Sequence, residues 1–479
     1  MSSQVGAGPK VAEPLARSTS GVLSWENDPG VPPTTRRPIL RPEPELGRTP
    51  LPVGIRGPQL PDGGQPGTVE FRYWNLAEVL RRTADFWGPL LAPGTKWQSQ
   101  VGPALLATLD AGDNLNAFYD REGVSFWHHT TNGITVYSGE SPDVVAHEVG
   151  HAVLDAIRPQ LWSVASAETD GFHESFGDIS AILTHLTLPT MRTAVIAETS
   201  GRVSGSSQVS RLAEQMAWAI RQRRPASVEA DCMRNAANNF FYQNPLTLPT
   251  EAPAAALSRE SHSFSRVFTG AFFRALGGIF QDQDSQGPDA LLEAARIAGQ
   301  LLVAAVTTAP IVPAYYAQLA AHLIAEDRVA HDGRYGNSLR RAFIRHGILS
   351  PREAAGLEEG DLDGRSVGLF GDAEEPELTA HSVDGAEFGL DRPLSFILPA
   401  NRTRFAVAGA APEAGSADAS PPDLVGNSYV EDLFRRDQVA TPAQEHTEGP
   451  HPRHYTHKII ENGDEFRLER RLFACGARV

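Results

Sequence analysis

Two histidines, His147 and His151, lie four residues apart in the segment SPDVVAHEVGHAVLDAIRP. In a helix, positions i and i+4 share a face a little more than one turn apart, so both imidazoles can reach one ion. Glu148 stands beside the first histidine. In this HExxH arrangement the carboxylate is not a ligand; it takes a proton from a metal-bound water, whose pKa zinc lowers to about 7. The segment carries helix signals of its own: Ser141 as cap, Pro142 at the first helical position, Asp143 near the positive end, and Pro159 to help end it. A chain of 479 residues with 15 histidines yields roughly 0.03 chance matches to HExxH, so a further ligand has to decide the reading.

A tetrahedral catalytic zinc takes three protein ligands and keeps its fourth position for water. The next helical segment, ETDGFHESFGDISAILTHL, offers Glu174 as the third ligand. Asp178, four residues on and on the same face, is placed to accept a hydrogen bond from the free ring nitrogen of a zinc histidine and so fix its tautomer. Phe172, Phe176, Ile179, Leu183 and Leu186 form the apolar stripe that packs this helix on the core.

HEVGHAVLDAI followed by HESFGDI resembles the thermolysin-like family of zinc metallopeptidases, gluzincins whose second motif spaces Glu and Asp as ExxxD. The longer metzincin pattern is absent, since Leu154 and Ile157 stand where it needs Gly and His. Two more segments are similar to the same family: LNAFYD, matching the edge strand that hydrogen-bonds the substrate backbone, and SHSFSRVFTGAFF, matching the segment that bears a transition-state histidine. The resemblance implies Asn116 and Ala117 as peptide-binding residues, His262 as oxyanion stabiliser and Arg211 as the arginine for a substrate carbonyl. It departs from the family at Trp162, where a tyrosine is usual, and at Leu257, where an acid would stand five residues before His262; Glu260 is nearby. Residues 179–197 hold no acid, so one zinc ion and no calcium double site are expected. The implied reaction is hydrolysis of an internal bond in a peptide or protein substrate. No GxMEN-like motif supports an exopeptidase, and the rival reading is a non-catalytic or latent binding module, for instance one used within a delivered effector.

These residues need a scaffold. Apolar spacing predicts a helix in YWNLAEVLRRTADFW, strands broken by turns from Ala104 to Gly139, and then helices at about 142–157, 171–187, 209–221, 264–279, 288–306, 313–325 and 335–347. A strand-containing front and helical back make an α+β order. The resemblance implies a two-lobed domain over 66–352, with lobes of about 66–158 and 159–352. Residues 1–65, dense in Pro and Gly, read as a disordered arm, and 353–479 as an acidic linker and a C-terminal extension. Within the extension, HKII and EFRLERRLF flank Asn462-Gly463, the signal of a tight hairpin.

A net charge of −16 speaks against nonspecific attraction to nucleic acid or anionic membrane, both of which need excess Lys and Arg. Arg221, Arg223 and Arg224 read as charge at a helix end. No apolar run approaches the length of a membrane span, and the first residues lack the pattern of a Sec signal. The expected location is cytoplasmic, or outside by a non-Sec route. The two cysteines, Cys232 and Cys475, form no CxxC pair and predict neither a disulfide framework nor a thiolate metal site. His128-His129 is expected near a strand end, His173 and His185 as lining or surface residues, and the HPRHYTH histidines (His451, His454, His457) as exposed tail residues.

Overall fold

The computed structural model describes residues 21–34, 36–359, 378–400, 420–441 and 455–476. In chain order the elements are strands β1 (Gly21–Ser24), β2 (Ile39–Pro42) and β3 (Val53–Ile55), helix α1 (Val69–Trp87), strands β4 (Leu105–Thr108), β5 (Ala117–Tyr119), β6 (Val124–Phe126), β7 (His128–Thr131) and β8 (Ile134–Tyr137), then helices α2 (Pro142–Ile157), α3 (Ala167–His185) and α4 (Pro189–Thr199). Strand β9 (Arg211–Leu212), helix α5 (Glu214–Arg221) and strand β10 (Arg234–Asn235) lead to helices α6 (Ser261–Gln281), α7 (Pro288–Thr308), α8 (Tyr315–His331), α9 (Gly336–Arg345) and α10 (Pro351–Glu359). The extension contains strands β11 (Thr379–Val383) and β12 (Leu394–Leu398), helix α11 (Pro422–Arg435), and strands β13 (Val439–Ala440), β14 (His457–Asn462), β15 (Glu465–Arg470) and β16 (Phe473–Ala474).

The mixed α+β order is present, strands first and helices after. Helix α2 starts as its sequence dictates: the Ser141 side chain accepts the Val144 amide, Pro142 follows, and Asp143 sits in the first turn. Helices α2 and α3 pack closely, and α6 covers the other side of α3. Gly177 permits that approach, because a Cβ there would lie 2.6 Å from the His147 ring. One continuous buried core runs from Leu51 to Leu357, takes in Phe473 and Cys475 as well, and joins the strands to the helices. By length and composition α7 could cross a membrane, as could α3 and α4 if taken as one span despite a 103° bend; 61% of the α7 stretch is buried.

Two sheets matter for the site. In the first, the strand order is β16-β5-β6-β4-β3, with β5 antiparallel to both β6 and β16. The chain's own C-terminal strand therefore covers what would otherwise be the open edge of β5. The second, β11-β12-β15-β14-β13, packs with α11 around a small core of its own that includes Phe396, Leu398, Tyr429, Val430 and Phe466.

Several expectations need correction. Residues 21–34 and 36–65 are not a disordered arm; residues 1–20 and 35 lie outside the described part. Val22 and Trp25 are buried, the Ser24 hydroxyl donates to Asn75 Oδ1, and Asp28 accepts Ser141 Oγ at 2.6 Å and the Gln215 amide at 2.9 Å. The segment is held by buried polar anchors as much as by apolar area, which a count of apolar residues does not register. Helix α5 begins at Glu214 rather than near 209, because Arg211 and Leu212 pair with β10. The stretch from Pro351 read as linker begins with α10, and its residues 360–377 lie outside the described part. The extension carries helix α11, which the sequence reading did not assign. The predicted hairpin forms, but Asn462 pairs with Glu465, so the turn centres on Gly463 and Asp464, one residue later than expected.

Candidate metal centre and active site

The face of α2 that carries His147 and His151 is turned toward Glu174 on α3. His147 Nε2 lies 3.1 Å from His151 Nε2 and 3.2 Å from Glu174 Oε2, and His151 Nε2 lies 3.8 Å from Glu174 Oε1. The edge of a tetrahedron built from ordinary zinc–nitrogen and zinc–oxygen bonds is about 3.3 Å, so these separations suit three ligands of one ion. All three residues are buried, and the free-energy cost of crowding ring lone pairs and a carboxylate out of water falls if a cation lies between them. Glu174 Oε2 has His147 Nε2 and His262 Nε2 each at 3.2 Å, and the buried Glu148 carboxyl has the Cys475 thiol beside it.

The other ring nitrogens are occupied as a metal site requires. His147 Nδ1 lies 3.1 Å from Asp178 Oδ1, and His151 Nδ1 lies 3.3 Å from Nδ1 of the buried His173. Asp178 is held in turn by a residue that sequence reasoning missed: Arg234 on β10 donates through Nη2 at 2.7 Å and through Nε at 2.9 Å. Burial alone would raise the Asp178 carboxyl, but Arg234 and His147 hold it well below the usual carboxylate range. No spacing rule links Arg234 to Asp178. Arg211, on the neighbouring strand, instead pairs with Glu214 at 3.1 Å and Asp231 at 3.9 Å.

His262, in the first turn of α6, lies with Nε2 at 3.2 Å from Glu174 Oε2 and Nδ1 at 2.7 Å from Glu260 Oε1. Glu260 thereby does two jobs, since its other oxygen accepts the Ser263 amide and caps α6. The acid missing at Leu257 is supplied from two residues before the histidine. Burial would lower the His262 pKa, but Glu174 and Glu260 raise it well above its ordinary value, while burial raises the Glu148 carboxyl well above the carboxylate range. A cavity of about 110 Å³ borders Asn116, Glu174, His262, Arg470 and Phe473.

The second cysteine lies at the same centre, a placement that its spacing in the sequence does not announce. Cys475 is buried, and its sulfur lies within 4.8 Å of ligand atoms of His147 and Glu148 and, in an overlapping group, of Glu174 and His262. Burial would raise its thiol, but His147 and His262 beside it hold it at about 6. Its position is set by β16, whose pairing with β5 is continued by a 2.9 Å hydrogen bond from the Cys475 amide to the Ala117 carbonyl. Asn116 and Ala117 are thus at the site, next to the chain's own terminus. Trp162 is buried edge-on to Phe473 and Tyr119 and beneath the Arg121 guanidinium.

The remaining histidines divide. His128 and His129 lie on β7, as expected near a strand end. His173 and His185 are both fully buried rather than surface residues. His457 is buried beside Tyr429, and His451 and His454 lie outside the described residues. No protein-family model and no curated protein matches this sequence.

Proposed function

We propose that the chain is a zinc-dependent endopeptidase with the two-lobed organisation of the thermolysin-like family. The observation that carries this reading is the convergence of His147 Nε2, His151 Nε2 and the Glu174 carboxylate, with the buried Glu148 carboxyl next to His147. Those three residues would hold the metal. When bound, zinc supplies a Lewis acid for the scissile carbonyl and a water acidified enough to attack near neutral pH.

The chain's own residues do the rest. Glu148, buried next to His147 on the same helix, takes a proton from the attacking water and returns it to the leaving amine. His262, oriented through Nδ1 by Glu260, donates from Nε2 to the oxyanion that develops on the carbonyl. Asp178 and Arg234 keep the His147 ring in place. Asn116 and strand β5 offer backbone groups to an extended substrate, the same edge that β16 pairs with. That last contact favours the latent form of the enzyme over an open one, and so joins the peptidase reading to its rival.

The test is cleavage of an unstructured protein by the zinc-loaded chain. Phenanthroline should abolish cleavage. Glu148→Gln should lower the rate by about 10²–10⁴-fold, the usual worth of a positioned general base, while retaining the metal. Equal rates for wild type and Glu148→Gln would sink the reading.

A further inference from the structure

Period-two alternation along the C-terminal strand separates its side chains into two sets. Leu472 and Ala474 pack on Phe118 and Trp127. Phe473 and Cys475 face the other way, into the candidate site. The Phe473 ring stacks on His173 at 3.9 Å and on His151 at 4.8 Å, with the Arg470 guanidinium 4.0 Å above it. Arg470 is anchored by Asp170, the Tyr429 hydroxyl and the Trp162 carbonyl. The strand is thereby tied down just before it enters the cleft. Just beyond it, Gly476 lies so close to the β5 edge that a Cβ would sit 2.3 Å from Asn116 Oδ1 and 2.6 Å from the Leu115 carbonyl oxygen.

We propose that Cys475 is the fourth ligand of the metal and that the C-terminal strand is a built-in plug of the substrate cleft. The proposal rests on the metal-peptidase reading above and deepens it. Three independent features support it. The sulfur lies within 4.8 Å of a ligand atom of His147 in one group of donors and of Glu174 in another. The strand occupies the backbone edge that a peptide would need. The buried Glu148 carboxyl, which needs a metal-bound water to act on, has the Cys475 thiol beside it, where that water belongs. On coordination the S–H bond breaks, the sulfur–metal bond forms and the proton leaves to solvent; no oxidant or reductant is involved. Withdrawal of the strand would return the fourth position to water and free the β5 edge together. The plug is therefore a reversible lock on the reaction and, in the intact chain, a competitor of any peptide substrate.

Cobalt(II) substituted into the full chain reads the ligand without reference to activity, with Cys232→Ser as background so that Cys475 is the sole thiol. The expected result is cobalt bound by the parent and by Cys475→Ser, with a thiolate-to-cobalt charge-transfer band in the near ultraviolet only in the parent. A chain ending at Arg471 should give the same spectrum as Cys475→Ser, and both should cleave an unstructured protein at least about tenfold faster than the parent when loaded with zinc, because a plugged site is active only in its open fraction. Cobalt bound equally by all three with no charge-transfer band overturns the thiolate ligand and leaves the metal reading standing. Failure of all three to bind cobalt overturns both.

Discussion

The packed trio of α2, α3 and α6 and the C-terminal extension both reach the same few ångströms of space, and they do so by opposite means. In the trio, the proposed ligands come from short spacings on helices embedded in the main core, and the groups beside them are themselves held, as in the chain His147–Asp178–Arg234. The extension has its own small core and sends in a two-residue strand, fixed by ring stacking, by the Arg470 anchor and by pairing with β5. The first arrangement sets a geometry that must not move. The second suits a part that has to leave.

Substitutions sharpen this contrast in order of expected effect. Arg234→Ala leaves Asp178 as a buried charge with only His147 for company, and should lower unfolding stability by about 3–5 kcal/mol in a urea titration. It should also weaken metal binding by roughly 10–100-fold, the usual effect of losing a group that orients a ligand. Gly177→Ala drives a methyl into the His147 ring, whose nearest atoms would be 2.6 Å away; overpacking of this kind costs about 1–3 kcal/mol, and the displaced ring should cost metal affinity as well. Phe473→Ala should fall at the other end. A core phenylalanine loses about 3–5 kcal/mol on truncation, and Phe473 is buried in the main core; if its strand opens on its own, the loss of global stability should be about 1 kcal/mol or less, since a locally opening segment is uncoupled from global unfolding. Cleavage should rise at the same time. A loss as large as that of Arg234→Ala would show that the extension is as fixed as the trio and would break the comparison.

Legibility in the sequence follows the same division. The α2 boundaries, Pro142 to Ile157, agree with the predicted 142–157 because cap, proline and apolar period all act within one segment. His147, His151, Glu174 and Asp178 come together because each pair is separated by one helical turn, and the two helices then need only to pack face to face. Arg234 and Cys475 carry no such signal. Each reaches the site through tertiary contacts, 56 residues from Asp178 in one case and from the far end of the chain in the other. Glu260 stands two residues before His262 rather than five, so the family spacing does not single it out, yet its carboxylate reaches the His262 Nδ1. The N-terminal strands were missed for a different reason. Their anchors are polar residues such as Ser24 and Asp28, and composition cannot show that these are buried and satisfied.

The most direct test of the central claim is a crystal of the zinc-loaded full chain, with diffraction data collected on both sides of the zinc absorption edge. The account predicts one strong anomalous peak at bonding distance from His147 Nε2, His151 Nε2 and a Glu174 oxygen, about 2.0–2.2 Å, with the Cys475 sulfur about 2.3 Å from it. A peak bound elsewhere, or no peak at this cluster, would contradict it.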